Sequence, residues 1–168
     1  LAAINNSRKE GAKLIVIDPR MTPLARQADI HVPIRPGTDT ALALGMLNVV
    51  IGEQLYDKEF VDRWTHGFDR LGEHVKHFPP EKVADITRVS ADTIRNIARM
   101  YATNRPAGIT QGVALDHCTN GVQTSRAICC LIAICGNYDV AGGNTFSLPL
   151  EQESLRLKEE VTDEIGAA

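Results

Sequence analysis

Four consecutive apolar residues, the last three β-branched, run Leu14-Ile15-Val16-Ile17 and stop at Asp18-Pro19-Arg20. A short unbroken run of this kind, following Gly11 and lacking polar alternation, is the pattern of a strand buried on both faces. Such a strand needs helices to cover it, so the run reads as the centre of a small parallel sheet. Its flanks then fall into place. Leu1–Glu10, with alanines early and Arg8-Lys9 late, suits the closing turns of a helix that Gly11 terminates. Ile30–Ile34 is a second short strand, at an edge because Pro33 has no N–H for a ladder. Ala107–Thr110 reads as a third.

Between these strands the periodicity turns helical. Thr40–Gly52 is apolar nearly all round, broken only by Asn48, and a helix of that kind belongs in an interior. Asp57 caps a short helix carrying Phe60, Val61 and Trp64, and the segment 69–84 gives two short helices around Pro79-Pro80. Ser90 caps an amphipathic helix with Ile94, Ile97, Ala98 and Tyr101 at i, i+3, i+4 and i+7. Gly121–Cys135 is another largely buried helix, ended by Gly136-Asn137. Strands alternating with helices specify an α/β unit.

Composition narrows the function. A chain of 168 residues is one ordinary domain, and with aromatics at 5% its core is built from Ala, Val, Ile and Leu. A net charge of −3 has the wrong sign for a nucleic-acid binder. The longest apolar stretch, Ala127–Cys135, has nine residues, half of the roughly 18 that a membrane span requires. Residues 149–168 form an acidic tail or linker, with six acids against two bases from Glu151 onward. The chain opens at Leu1 in what reads as mid-helix, so it is expected to be a piece of a larger protein. Its compartment is left open, with the cytoplasm slightly favoured over the periplasm.

Ligands of open α/β sheets bind outside the carboxyl ends of the strands. Three loops qualify: Asp18–Thr22, Arg35–Asp39 and Gln111–Asn120. Asp18 can accept bonds from a ribose or base, and Arg20 can pair bidentately with phosphate; alternatively the two merely close their own turn. Thr38 or Asp39 can serve as the N-cap of the following helix. Equally, Arg35 at a helix N-terminus suits an anion, and an ionised Asp39 suits the paired N–H donors of a guanine edge. Neither a G-x-G-x-x-G nor a P-loop pattern occurs, which argues against a self-sufficient NAD or nucleotide site. Cys118, Cys129, Cys130 and Cys135 lack metal-ligand spacing, and the last three point apart on a helix, so all four read as core residues. His66, His74 and His77 read as exposed helix histidines, whereas His117 sits in the third loop. No catalytic nucleophile and no metal ligand is assigned.

The loops taken together resemble a known family. Gly11–Arg20, Thr22-Pro23, Ala28-Asp29 and Arg35-Pro-Gly-Thr-Asp39, followed by Leu55-Tyr-Asp57, Gly121–Thr124, Arg126–Ile128, Gly136-Asn137 and Gly142-Gly-Asn144, are similar to the molybdopterin oxidoreductases of the dimethyl sulfoxide reductase type. The loop up to His117 and the segment 136–144 most resemble the acetylene hydratase and polysulfide or thiosulfate reductase branches. The resemblance implies a Rossmann-like three-layer α/β unit over residues 8–148 that helps hold one of two molybdopterin guanine dinucleotides, with molybdenum or tungsten in the full-length enzyme. By position, Asp18, Pro19, Arg20 and Thr22 would lie along the dinucleotide, and Gly37, Thr38 and Asp39 would meet its guanosine. Gln111, Gly112 and His117 would approach the pterin. It further implies that the iron–sulfur cysteines and the metal-ligating residue lie upstream of this sequence, and that a C-terminal β-barrel-like domain completes the site. The piece alone is then expected to be inactive and to hold no cofactor tightly. Its partners would be the remaining domains and an electron-transfer subunit, with no nucleic acid and no membrane insertion. The competing readings are a non-redox hydratase of the same family and a free-standing nucleotide-binding domain.

Overall fold

A computed structural model describes residues 2–145, so the acidic segment 149–168 lies outside the described residues. Helix α1 (Ala2–Lys9) leads into strand β1 (Ile15–Ile17), a 3-10 turn at Ala25–Gln27 and strand β2 (Ile30–Val32). Five helices follow: α2 (Asp39–Gly52), α3 (Lys58–Trp64), α4 (Phe68–Val75), α5 (Pro80–Thr87) and α6 (Ala91–Thr103). A 3-10 turn at Val113–Leu115 and helix α7 (Gly121–Ile134) complete the described chain. The α/β class, the small parallel sheet and the buried helices are as the sequence implies.

Local chemistry explains most of the boundaries. Helix α1 closes with the N–H of Ala12 on the carbonyl of Ser7 and that of Gly11 on Arg8, the paired bonds of a Schellman end. Asp57 and Ser90 cap α3 and α6, their side chains accepting from the N–H groups of Phe60 and Thr93. Helix α2 is the hub, with Leu42, Ala43, Met46, Leu47, Val49 and Val50 buried against α5, α6 and α7. Its one polar interruption, Asn48, donates from Nδ2 to the carbonyl of Val75 at 2.9 Å, so the amide is satisfied at a helix end. Glu53, just past α2, takes a bidentate pair from Arg99 of α6 at 2.7 and 2.8 Å.

The sheet departs from expectation in two respects. Strands β1 and β2 pair in parallel, Ile15 with Ile30, Val16 with His31 and Ile17 with Val32, and the sheet holds these two strands alone among the described residues. Strand β1 is therefore not a fully buried central strand. Ile15 and Val16 are half-buried, and Ile17 is 43% exposed, because no further strand pairs with β1 among the described residues. Segment 107–110 is not a strand either. Its backbone groups are met by side chains: Asn137 Oδ1 accepts from the N–H of Ala107, and the amide of Asn144 bonds both the N–H and the carbonyl of Ile109.

Of the cysteines, Cys135 is the core residue expected, and the others depart from that expectation to different degrees. Only Cys135 is buried; Cys118 and Cys130 are half-buried and Cys129 is exposed. One step along α7 turns the side chain through 100°, so adjacent Cys129 and Cys130 cannot share a face. Burial pushes the Cys135 thiol up to about 12 and raises that of Cys130 as well. The three histidines are exposed, but only His74 is helical; His66 stands in a bend and His77 in a turn.

Candidate functional site

The three loops singled out at the carboxyl ends of the strands converge. Between β1 on one side and segment 108–112 on the other lies a cleft of about 420 Å³. Its floor is apolar, formed by Ile34, Leu42, Ala43, Met46, Ile128 and Leu131. Asp18 and Pro19 stand at one wall, Gly37 and Asp39 at the head of α2, and Gln111 and Gly112 at the opposite wall. The volume falls in the roughly 300–1,000 Å³ range of small-molecule sites, and an apolar body with few polar groups is their usual make-up.

Asp18 does double duty. Its Oδ1 accepts the Arg20 N–H at 2.8 Å, closing the turn, while its carbonyl accepts from His31 Nε2 at 2.8 Å. The Arg20 guanidinium lies 3.5 Å from Asp18 Oδ1 but is 82% exposed and stands outside the cleft lining. Thr22 is also outside it, with its hydroxyl accepting the N–H of Ala25 at 3.1 Å.

The second loop is anchored by the N–H of Arg35 on the carbonyl of Thr87, and it turns at Gly37, whose φ of +78° an L side chain resists. Thr38 takes the N-cap position of α2 without capping it, because its hydroxyl turns back to donate to the Arg35 carbonyl at 2.6 Å. Asp39 is then the first helical residue. Partial burial raises the pKa of its carboxyl above the ordinary value, and its own backbone N–H works in the opposite direction. A half-buried acid at the positive end of a helix, facing a cleft, can receive donors from a ligand.

On the opposite wall Gln111 accepts from the Ser125 hydroxyl through Oε1 at 3.3 Å. His117 is exposed and is not brought to the cleft, whereas its neighbour Cys118 is. Among the described residues no group of three or more His, Cys, Asp or Glu side chains gathers to hold a metal.

Tyr101 also lines the cleft, a place its sequence pattern does not announce. Tyr101 fits the i+7 core position of α6 and is 7% exposed, yet its hydroxyl is buried without a hydrogen-bond partner beside the equally unpartnered Nδ2 of Asn137. Desolvation drives the phenol pKa upward; the neighbouring amide pulls the other way without a bond joining the two. Periodicity identifies the face a side chain lies on, but not whether its terminal oxygen finds a partner.

Comparison with known proteins identifies the family of the chain. The family model described as molybdopterin oxidoreductase matches residues 2–160. The chain is 50% identical over 141 residues to acetylene hydratase of Syntrophotalea acetylenica, covering 84% of this chain and 19% of that protein. It is 43% identical over 132 residues to formate dehydrogenase H of Escherichia coli (strain K12), covering 79% and 18%. With a dimethyl sulfoxide reductase of the same organism it is 36% identical over 168 aligned positions, covering 84% and 21%. The solved structure of acetylene hydratase from Pelobacter acetylenicus superposes with a TM-score of 0.78 at 51% identity, over 80% of this chain and 18% of that one. The chain thus spans about a fifth of the length of the relatives it matches. On the family model and these relatives together, the chain belongs to the molybdopterin oxidoreductase family.

Proposed function

We propose that the chain helps hold one of two molybdopterin guanine dinucleotides in a larger molybdenum or tungsten enzyme. Residues 8–148 act as the dinucleotide-holding unit, and the remaining domains of the same polypeptide supply the metal ligand and close the site. The observation that carries this reading is the meeting of three chain-distant loops on one cleft with an apolar floor and a half-buried carboxylate at its mouth. Asp39 accepts the guanine N1–H and N2–H side by side, and Gly37 and Thr38 shape the turn that brings it there. Asp18, Pro19, Arg20 and Thr22 follow the dinucleotide, with the exposed Arg20 free to swing onto phosphate. Gln111 and Gly112 lie toward the pterin, whereas the exposed His117, outside the cleft, would reach the pterin only beyond its rim. The residues suit a neutral purine edge followed by anionic groups. When bound, the cofactor supplies redox or Lewis-acid chemistry at its metal; this chain's residues bind, orient and exclude water. The piece alone is inactive.

The test is Asp39→Asn in the full-length enzyme. It removes one charge-assisted pair worth roughly 1.5–3 kcal/mol, so dinucleotide content is expected to fall about tenfold or more. Folding should survive, because the exchange keeps the shape and relieves a desolvated charge. A large fall in Tm with cofactor content unchanged would make Asp39 a structural residue and sink the guanine assignment. Tight binding of free GTP or NAD to the 168 residues would instead favour a free-standing nucleotide-binding domain.

Two chemistries remain within the family. As an oxidoreductase, the whole enzyme would pass electrons to a separate electron-transfer subunit. The 50% identity to acetylene hydratase favours a second reading, addition of water without net redox. Acetylene consumption by the full-length enzyme with no transfer of electrons to an acceptor dye would select the hydratase.

A further inference from the structure

Segment 107–109 reaches the cleft wall at Gly108 and Ile109 with no strand beside it in a ladder among the described residues, and its polar groups would ordinarily need one. Two asparagines from the turn after α7 stand in. Asn144 Oδ1 accepts the Ile109 N–H at 2.9 Å, and its Nδ2 donates to the Ile109 carbonyl at 2.8 Å. Asn137 Oδ1 accepts the Ala107 N–H at 3.0 Å. A carboxamide carries the same donor and acceptor as a peptide group, so one Asn side chain can satisfy both polar groups of one residue.

The turn itself does not use the Asn144 side chain. Its closure comes from backbone bonds, the Asn144 N–H on the Asn137 carbonyl at 2.8 Å and the Asp139 N–H on the Asn144 carbonyl at 2.7 Å. Gly143 packs so close that an added Cβ would lie 2.5 Å from the Asn137 carbonyl oxygen, which is why a side chain is excluded there. The turn is therefore a rigid mount, and the Asn144 amide is directed entirely outward to Ile109.

We propose that Asn144, assisted by Asn137, is a positioning residue for the cleft. It stands in for a missing strand neighbour and so fixes where Thr110, Gln111 and Gly112 sit on the wall. The consequence for cofactor retention rests on the function proposed above; the positioning role does not.

The experiment is Asn144→Ala in the full-length enzyme, read by amide hydrogen exchange and by guanine dinucleotide content. Exchange from Ile109 to Gly112 is expected to rise tenfold or more while the amides of α2 and α7 keep their protection, and dinucleotide content is expected to fall. Unchanged exchange from Ile109 to Gly112 would overturn the proposal. So would a rise of the same size throughout α2 and α7, which would mark Asn144 as a general folding residue. A local rise with cofactor content unchanged supports the positioning role and rejects contact between Gln111-Gly112 and the cofactor. Should the alanine variant fail to accumulate, Asn144→Asp keeps the volume and the acceptor but loses the donor. It carries the same comparison, with the rise again expected at Ile109–Gly112.

Discussion

The hydroxyl of Tyr101 is a polar atom in a place built for apolar ones. Leaving such a group unpaired in an interior costs about 1–3 kcal/mol, and deleting it removes that cost without opening a cavity of any size. Tyr101→Phe is therefore expected to leave Tm unchanged or raise it, by up to about 1 kcal/mol of stability. Thermal unfolding of the two proteins checks this, and a clear loss of stability would show that the oxygen has a partner after all. Asp39 carries a related tension, since burial raises its pKa and makes its charged form costly. Both residues border the cleft, and in both a polar group has been kept where packing alone would favour an apolar one.

Among the elements, α2 decides whether the rest can assemble. Leu47 is 0% exposed at its centre, whereas Leu44 on the same helix is only half-buried. Leu47→Lys places an unpaired charge in the core and is expected to destabilise by about 4 kcal/mol or more, with Leu44→Lys clearly milder. Chemical denaturation of both variants measures the gap, and equal effects would contradict the assigned faces. Helix α2 was legible because an almost uninterrupted apolar composition admits few other placements, and Asp57 and Ser90 were legible because a cap is a contact three residues long. The third strand was not. Ala107–Ile109 has the local pattern of a strand, but pairing is made by residues about thirty positions away, and those proved to be asparagine side chains. Cys129 is exposed for a simpler reason: its angle on α7 turns it away from the core, whatever the usual burial of its residue type. At the cleft, Asp18, Gly37, Asp39 and Gln111 were found from their place at strand and helix ends, while Tyr101 and Cys118 arrive from a helix core and a loop whose path no local rule specifies.

For the molecule as a whole, acid is the expected weak side. The Arg99 bond holds the Glu53 carboxyl below its usual 4.5, and the Leu14 N–H with Lys13 does the same for Asp29. A carboxyl with a depressed folded-state pKa adds stability above its unfolded value, and that share is lost as the pH falls through the folded one. Asp39 has the opposite sign, its cost being relieved on protonation. Glu53→Gln is accordingly expected to lower Tm at pH 7 and to flatten its decline below pH 4.5; an unchanged acid limb would show that the α2–α6 tie contributes nothing. The same global view applies to β1, paired on one side only among the described residues. Its other border is a row of hydrogen-bonding groups beside an apolar trough, the surface on which sheets extend from one molecule into the next. Handled apart from whatever covers that border, the chain is expected to pair with other molecules along Ile15–Ile17.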